Sequence, residues 1–150
     1  MKKNVNFKWD EDSGLAVCKI KYDGLEFTGE AQCHPKDEDM MSSKTGEEIA
    51  YNRASIAVLQ YEKKQIAREL KALKALYYSM KHSPRFNAKS YEAYSLYRQM
   101  NIRQNDINEI KYQIKCLRSY LKSYIDGKDE IYKKIRHLRE KEKLEQGNTK

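Results

Sequence analysis

Few residues in this chain are spaced for covalent chemistry, whereas several are of the types that hold a phosphate or stack on a base. His34, His82 and His137 stand far apart. None has the spacing of a metal-binding pair, and none accompanies a Ser or Cys in a nucleophile motif. Cys33 and His34 are adjacent, but sequence neighbours usually point apart. Asp37 and Asp39 open an acidic run, yet an EF-hand counted from Asp37 requires a glycine where Ser42 stands, so the calcium pattern fails. The expectation is a protein without catalysis, metal or cofactor.

The binding features are richer. Arg85-Phe86-Asn87 puts a guanidinium for phosphate, an aromatic face for a purine and an amide for a base or ribose edge into one loop. The same triplet also reads as a joint between two helices, with Phe86 plugging its end. Ser42-Ser43-Lys44-Thr45-Gly46 precedes a helix, where free N–H groups, hydroxyls and the Lys44 ammonium would converge on a phosphate. It lacks the P-loop spacing, and an ordinary helix cap accounts for it equally. Arg103 lies among the amides of Gln99, Asn101, Gln104 and Asn105, where apolar packing lapses. Such a stretch either lines a wet pocket or forms a polar layer that sets helix register. Arg53 and Arg98 are further phosphate candidates that also read as solvated helix residues.

Two helical stripes must position these groups. Ile56, Lys63, Leu70 and Tyr77 recur every seven residues, interleaved with Leu59, Ile66, Leu73 and Met80. A second set joins Met100, Ile107, Ile114, Leu121, Lys128 and Ile135 to Leu96, Arg103, Ile110, Leu117, Tyr124, Ile131 and Leu138. Cations at such seam positions must reach solvent, a carboxylate or a ligand. Thr45 and Glu48 form a capping box for the first helix, which runs to about Lys81. Ser83-Pro84-Arg85-Phe86-Asn87 breaks the pattern. The second helix starts near Ala88 to Ser90 and reaches Ile125, where Asp126-Gly127 kinks it or separates a last helix over roughly 128–143.

Ahead of the helices comes a β-meander. Val5, Phe7 and Trp9 alternate with polar residues, Asp12-Ser13-Gly14 turns the chain, and Ala16, Cys18, Ile20 and Tyr22 share a face of the second strand. Asp23-Gly24 suits a type I′ turn into a third strand from Leu25 to about Cys33. Three short strands need cover from helices or a second copy. The expected fold is therefore α+β in a single domain: meander over 1–34, connector over 35–45, two-helix hairpin over 46–143 and tail over 144–150.

Composition limits the core. Of 150 residues 35% are charged, and the mean hydropathy is -0.97, so a lone chain has little apolar material to bury. Homo-oligomerisation follows, most simply about a two-fold axis. No apolar run of membrane-spanning length and no signal peptide is visible, and the three widely spaced cysteines suit a reducing compartment, so a cytoplasmic location is expected. The net charge of +8 is uneven: residues 1–48 carry 7 Lys against 11 Asp and Glu (net -4), residues 49–150 carry 23 Lys and Arg against 11 (net +12). The helical part attracts phosphate-bearing partners or simply stays soluble by its charge. Twelve tyrosines, eleven of them from Tyr51 onward, suit interfaces and base-stacking pockets alike.

The order of parts, a short meander, the connector Cys33-His34-Pro35-Lys36-Asp37-Glu38-Asp39 and then Lys44-Thr45-Gly46-Glu47-Glu48-Ile49-Ala50-Tyr51-Asn52-Arg53-Ala54 opening two long helices, resembles a group of small phage proteins. Among them it is most similar to the first type of Thoeris anti-defence protein, which sequesters cyclic ADP-ribose-type signals made by bacterial TIR enzymes. The motif-like stretch spans roughly residues 32–54. The resemblance implies no catalysis, and a homo-oligomer holding the signal intact in a recess between subunits, with cyclic oligonucleotides as further ligands in some members. Ligand residues are assigned by chemistry rather than by motif, to Arg85, Phe86, Asn87, Arg103, Asn101, Arg53, Arg98 and Lys44. Two alternatives stand beside it. One is a basic helical protein that binds nucleic acid or a nucleic-acid-handling defence complex, in the manner of an anti-CRISPR. The other is a coiled-coil adaptor with no ligand.

Overall fold

A computed structural model describes residues 3–32 and 43–147, and the side chains of all of these except 43, 44, 124–136, 146 and 147. Three strands, β1 (Asn4–Asp10), β2 (Leu15–Tyr22) and β3 (Leu25–Gln32), precede two helices, α1 (Ser43–Lys81) and α2 (Tyr91–Gly147). The chain divides into two compact units, residues 1–115 and 116–150. The architecture is α+β, an antiparallel sheet followed by helices. Most of the expected 35–45 connector, with Cys33 and His34 before it, lies outside the described residues.

The sheet has the order β1-β2-β3, both pairs antiparallel. Its turns use the expected chemistry. Asp23 at φ 54° and Gly24 at φ 70° supply the two left-handed residues of the β2–β3 turn. Asp10 closes the β1–β2 turn: its carboxylate accepts from the Asp12 N–H at 3.0 Å and from the Ser13 hydroxyl at 2.9 Å. Those bonds, the Ser13 one foremost, hold the Asp10 carboxyl below its ordinary pKa.

Register aligns the apolar residues in rows on one face: Val5, Ile20 and Phe27; Phe7, Cys18 and Gly29; Trp9, Ala16 and Ala31. α1 lies on this face, mainly over β2 and β3. The resulting core contains Ala16, Cys18, Ile20 and Ala31 from the sheet and Ile49, Ala50, Ala54 and Val58 from α1. Small residues predominate because helix and sheet approach closely. A Cβ placed on Gly29 would lie 2.1 Å from the Ala50 carbonyl oxygen and 2.5 Å from the Ala54 nitrogen. The tip of the sheet is tied to the same helix, since the Tyr61 hydroxyl donates to Asp23 Oδ2 at 2.6 Å and Tyr22 bonds Glu62. Each phenol, donating first of all to a carboxylate, is pushed above its ordinary pKa.

α1 has a second apolar flank toward the first part of α2. Tyr77 meets Tyr97 with ring centroids 6.5 Å apart, and Arg103 Nε donates to Glu69 at 2.8 Å. The expected seam positions in the residue 1–115 unit are the sheltered ones: Leu70, Ile107, Ile110 and Ile114 are buried, and Ile56, Leu59, Lys63, Ile66, Leu73, Tyr77, Met80, Leu96, Met100 and Arg103 are half-buried.

Three local expectations are corrected. α1 begins at Ser43, two residues ahead of the expected start at Thr45. α2 continues without a break from Tyr91 to Gly147, through Asp126-Gly127 and past the expected end at 143. A single interior glycine costs about 1 kcal/mol against alanine, less than abandoning the hydrogen-bond ladder of a long helix. In the second unit Leu121 is buried, whereas Leu138, placed on the seam by the repeat, is 59% exposed.

Candidate functional site

The Ser83–Ser90 joint is built by local hydrogen bonding. Ser83 N–H donates to Met80 O at 3.1 Å and Phe86 N–H to Ser83 O at 3.1 Å, closing the end of α1. Asn87 then forms an Asx turn, its Oδ1 accepting from Lys89 N–H at 3.0 Å and its carbonyl from Ser90 N–H at 3.0 Å. Ser90 caps α2, its Oγ accepting from Ala93 N–H at 3.2 Å. Phe86 turns inward and meets Tyr77 edge-on, 6.1 Å between centroids. The triplet Arg85-Phe86-Asn87 thus splits its work: Phe86 packs on Tyr77, Asn87 bonds backbone, and the Arg85 side chain is exposed.

The stretch that contains this joint is rich in cations and aromatic residues. Residues 71–100 hold six Lys and Arg (Lys71, Lys74, Lys81, Arg85, Lys89, Arg98) against Glu92 alone, with six aromatic residues among them. Tyr78, Tyr91, Tyr94 and Tyr97 are 64%, 83%, 61% and 54% exposed. Tyr78 and His82 stack with ring centroids 4.1 Å apart. His82 Nδ1 lies 2.9 Å from the Tyr78 carbonyl. A carbonyl only accepts, so the neutral imidazole carries its proton on Nδ1 and offers Nε2 as an acceptor. Exposed rings beside cations and almost no acid suit a phosphate attached to a flat base, which stacks while ammonium or guanidinium groups meet its charge. This cluster was legible as tyrosine abundance, but its focus at the joint emerges only when charge and aromatic residues are counted together.

The other expected ligand residues are dispersed. Arg103 is engaged by Glu69, with side-chain exposures of 34% and 57%, which is the carboxylate-satisfied form of a seam cation. It stands twelve residues into α2 from Tyr91, about 18 Å along the helix at ~1.5 Å per residue. Asn101 and Arg98 are exposed on the same helix. Arg53 lies against β3, its Nη1 donating to the Glu30 carbonyl at 2.5 Å. It is twenty-four residues from Tyr77 on α1, about 36 Å away. The side chain of Lys44 lies outside those described. Within one chain a nucleotide-sized ligand reaches the joint, Arg103 or Arg53, not all three. Among the described residues no cluster of three His, Cys, Asp or Glu is placed to hold a metal, and no helix is long and apolar enough to cross a membrane.

Comparison with protein-family models, with curated proteins and with solved structures returned no match.

Proposed function

We propose that this chain is a non-catalytic binding protein that sequesters a cyclic nucleotide immune signal of the cyclic ADP-ribose type, in the manner of phage anti-defence sponges, and works as a homo-oligomer in the host cytoplasm. The observation that carries the reading is the joint of α1 and α2, where six cations, six aromatic residues and a single carboxylate occupy thirty consecutive positions. Adenine would stack on exposed tyrosine while Arg85, Lys81 or Lys89 meets the pyrophosphate. Because the remaining cations are strung along the helices, a closed pocket requires a second copy packed against the first, with the helices paired as an antiparallel hairpin. Effective sequestration demands tight binding: a Kd near 1 nM corresponds to about -12.3 kcal/mol.

Isothermal titration of the full chain with cyclic ADP-ribose isomers, followed by denaturation and recovery of the ligand, tests the proposal. It expects saturable heat, intact ligand, and a loss of about tenfold or more for Arg85→Ala, equivalent to about 1.4 kcal/mol. Absence of heat at micromolar protein, or a cleaved ligand, overturns it.

The same surface favours one other reading, a single-stranded nucleic acid stacked on the tyrosines. Engagement of all six cations would make log K fall with log salt at a slope of about -4. A ligand bound with little salt dependence argues for the small molecule.

A further inference from the structure

We propose that β1 is a self-complementary edge that joins two copies of this chain about a two-fold axis into a continuous six-stranded antiparallel sheet. The inference supplies the self-association that the reading above calls for, but it stands on the sheet alone and is tested without ligand.

β1 and β3 are the two edges of the sheet, and Arg53 of α1 bonds one β3 carbonyl, that of Glu30. An open edge presents unpaired N–H and C=O groups that template pairing with another strand. α1 covers mainly β2 and β3, leaving Val5 and Phe7 38% and 45% exposed on the helix-bearing face, beside Tyr51, itself 42% exposed. Phe7 and Tyr51 already touch, with centroids 6.3 Å apart. The apolar face therefore extends past the better-covered strands to an edge that none of the described residues continues.

The strand's own sequence says what would continue it. In an antiparallel pair, directly opposed residues share a face of the sheet. Centring the pair on Phe7, the midpoint of Asn4–Asp10, opposes Phe7 to Phe7, Val5 to Trp9, Asn6 to Lys8 and Asn4 to Asp10, and brings Lys3 opposite Glu11. Apolar residues meet apolar residues on the helix side, and polar residues meet polar ones on the other. Just outside the strand and on the helix-bearing side, Lys3, whose ammonium lies over the Tyr22 ring of its own chain, comes opposite the Glu11 of the mate. Shifting the centre to Lys8 would oppose Lys8 to Lys8 and Val5 to Glu11. Shifting it to Asn6 would oppose Lys3 to Trp9. Charge and hydrophobic pattern together select the Phe7-centred register. The two Lys8 side chains lie diagonally on the solvated face, where screening keeps their repulsion small.

Sedimentation velocity of the full chain at micromolar concentrations decides the matter, a dimer having a mass of about 36 kDa, twice that of the chain. Phe7→Glu opposes two carboxylates at the axis and is expected to weaken dimerisation by about 100-fold or more. Lys3→Glu or Glu11→Lys alone opposes like charges at both ends and is expected to weaken it by about 3- to 10-fold, whereas the double reversal restores it. Restoration depends on the pairing, so it decides the question even if Phe7→Glu fails to fold. A monomeric wild type, a dimer indifferent to Phe7→Glu, or a double reversal no better than the single changes overturns the proposal.

Discussion

Gly29→Ala should strongly destabilise this protein. Gly29 lies in the row Phe7, Cys18, Gly29 under α1. The new methyl would stand 2.1 Å from the Ala50 carbonyl oxygen, 2.5 Å from the Ala54 nitrogen and 3.1 Å from the Ala50 carbonyl carbon. All three are helix backbone atoms, so no side-chain rotation relieves the clash. α1 must retreat by at least about 0.9 Å to bring the oxygen out to 3.0 Å, a separation that real Cβ contacts essentially never undercut. That retreat loosens the whole interface of Ala16, Cys18, Ile20 and Ala31 with Ala50, Ala54 and Val58. Overpacking with side-chain relief costs about 1–3 kcal/mol; with rigid backbone opposite, about 3–5 kcal/mol is expected. Against a typical domain stability of about 5–15 kcal/mol, that is between about a fifth and the whole of the margin. Urea unfolding followed by circular dichroism reads the loss. Gly24→Ala is the control: it has open space but φ +70°, so its cost is the left-handed backbone alone, about 1–2 kcal/mol. A Gly29→Ala midpoint no lower than that of Gly24→Ala would refute the reasoning, because the helix would then not be seated as closely as the geometry requires.

Two other outcomes follow from the ties between helices and sheet. Tyr22 and Tyr61 have folded pKa values raised above the ordinary 10.0 by their carboxylate partners. Their contribution is therefore fully present below pH 10 and lost as pH rises through the folded values; the alkaline fall in stability should be smaller in Tyr22→Phe/Tyr61→Phe, with tyrosinate absorbance reporting the titration. The Arg103–Glu69 pair is substantially exposed, so a double-mutant cycle should give a coupling of less than about 1 kcal/mol. A larger value from chemical denaturation would mean that the pair is desolvated by another copy.

Periodicity and turn chemistry carried much of this fold. The two-residue alternation of Ala16, Cys18 and Ile20, the Asp23-Gly24 turn and the seven-residue repeats through Leu70, Ile107 and Ile114 depend on neighbours along the chain, and the structure bears them out. The helix boundaries were less legible. Thr45 and Glu48 mark a capping pattern two residues inside the observed start of α1, and Asp126-Gly127 resembles a turn that hydrogen bonding along a long helix overrode. Of the candidate site, residue types were visible and convergence was not. Phe86 reads equally as a ring for a base or a plug for a helix pair until Tyr77 is found against its edge.

The amino-acid order alone determined the apolar face of β2, the sheltered stripe of α1 and of α2 as far as Leu121, and where the positive charge lies, because each is a property of local spacing. The tertiary structure decided what no spacing contains: that Gly29 must accommodate a helix backbone, that Arg103 finds Glu69, that Arg53 reaches a strand carbonyl, and that α1 covers Val5 and Phe7 only in part. These depend on which distant segments share a few ångströms, a matter settled by packing the whole chain at once.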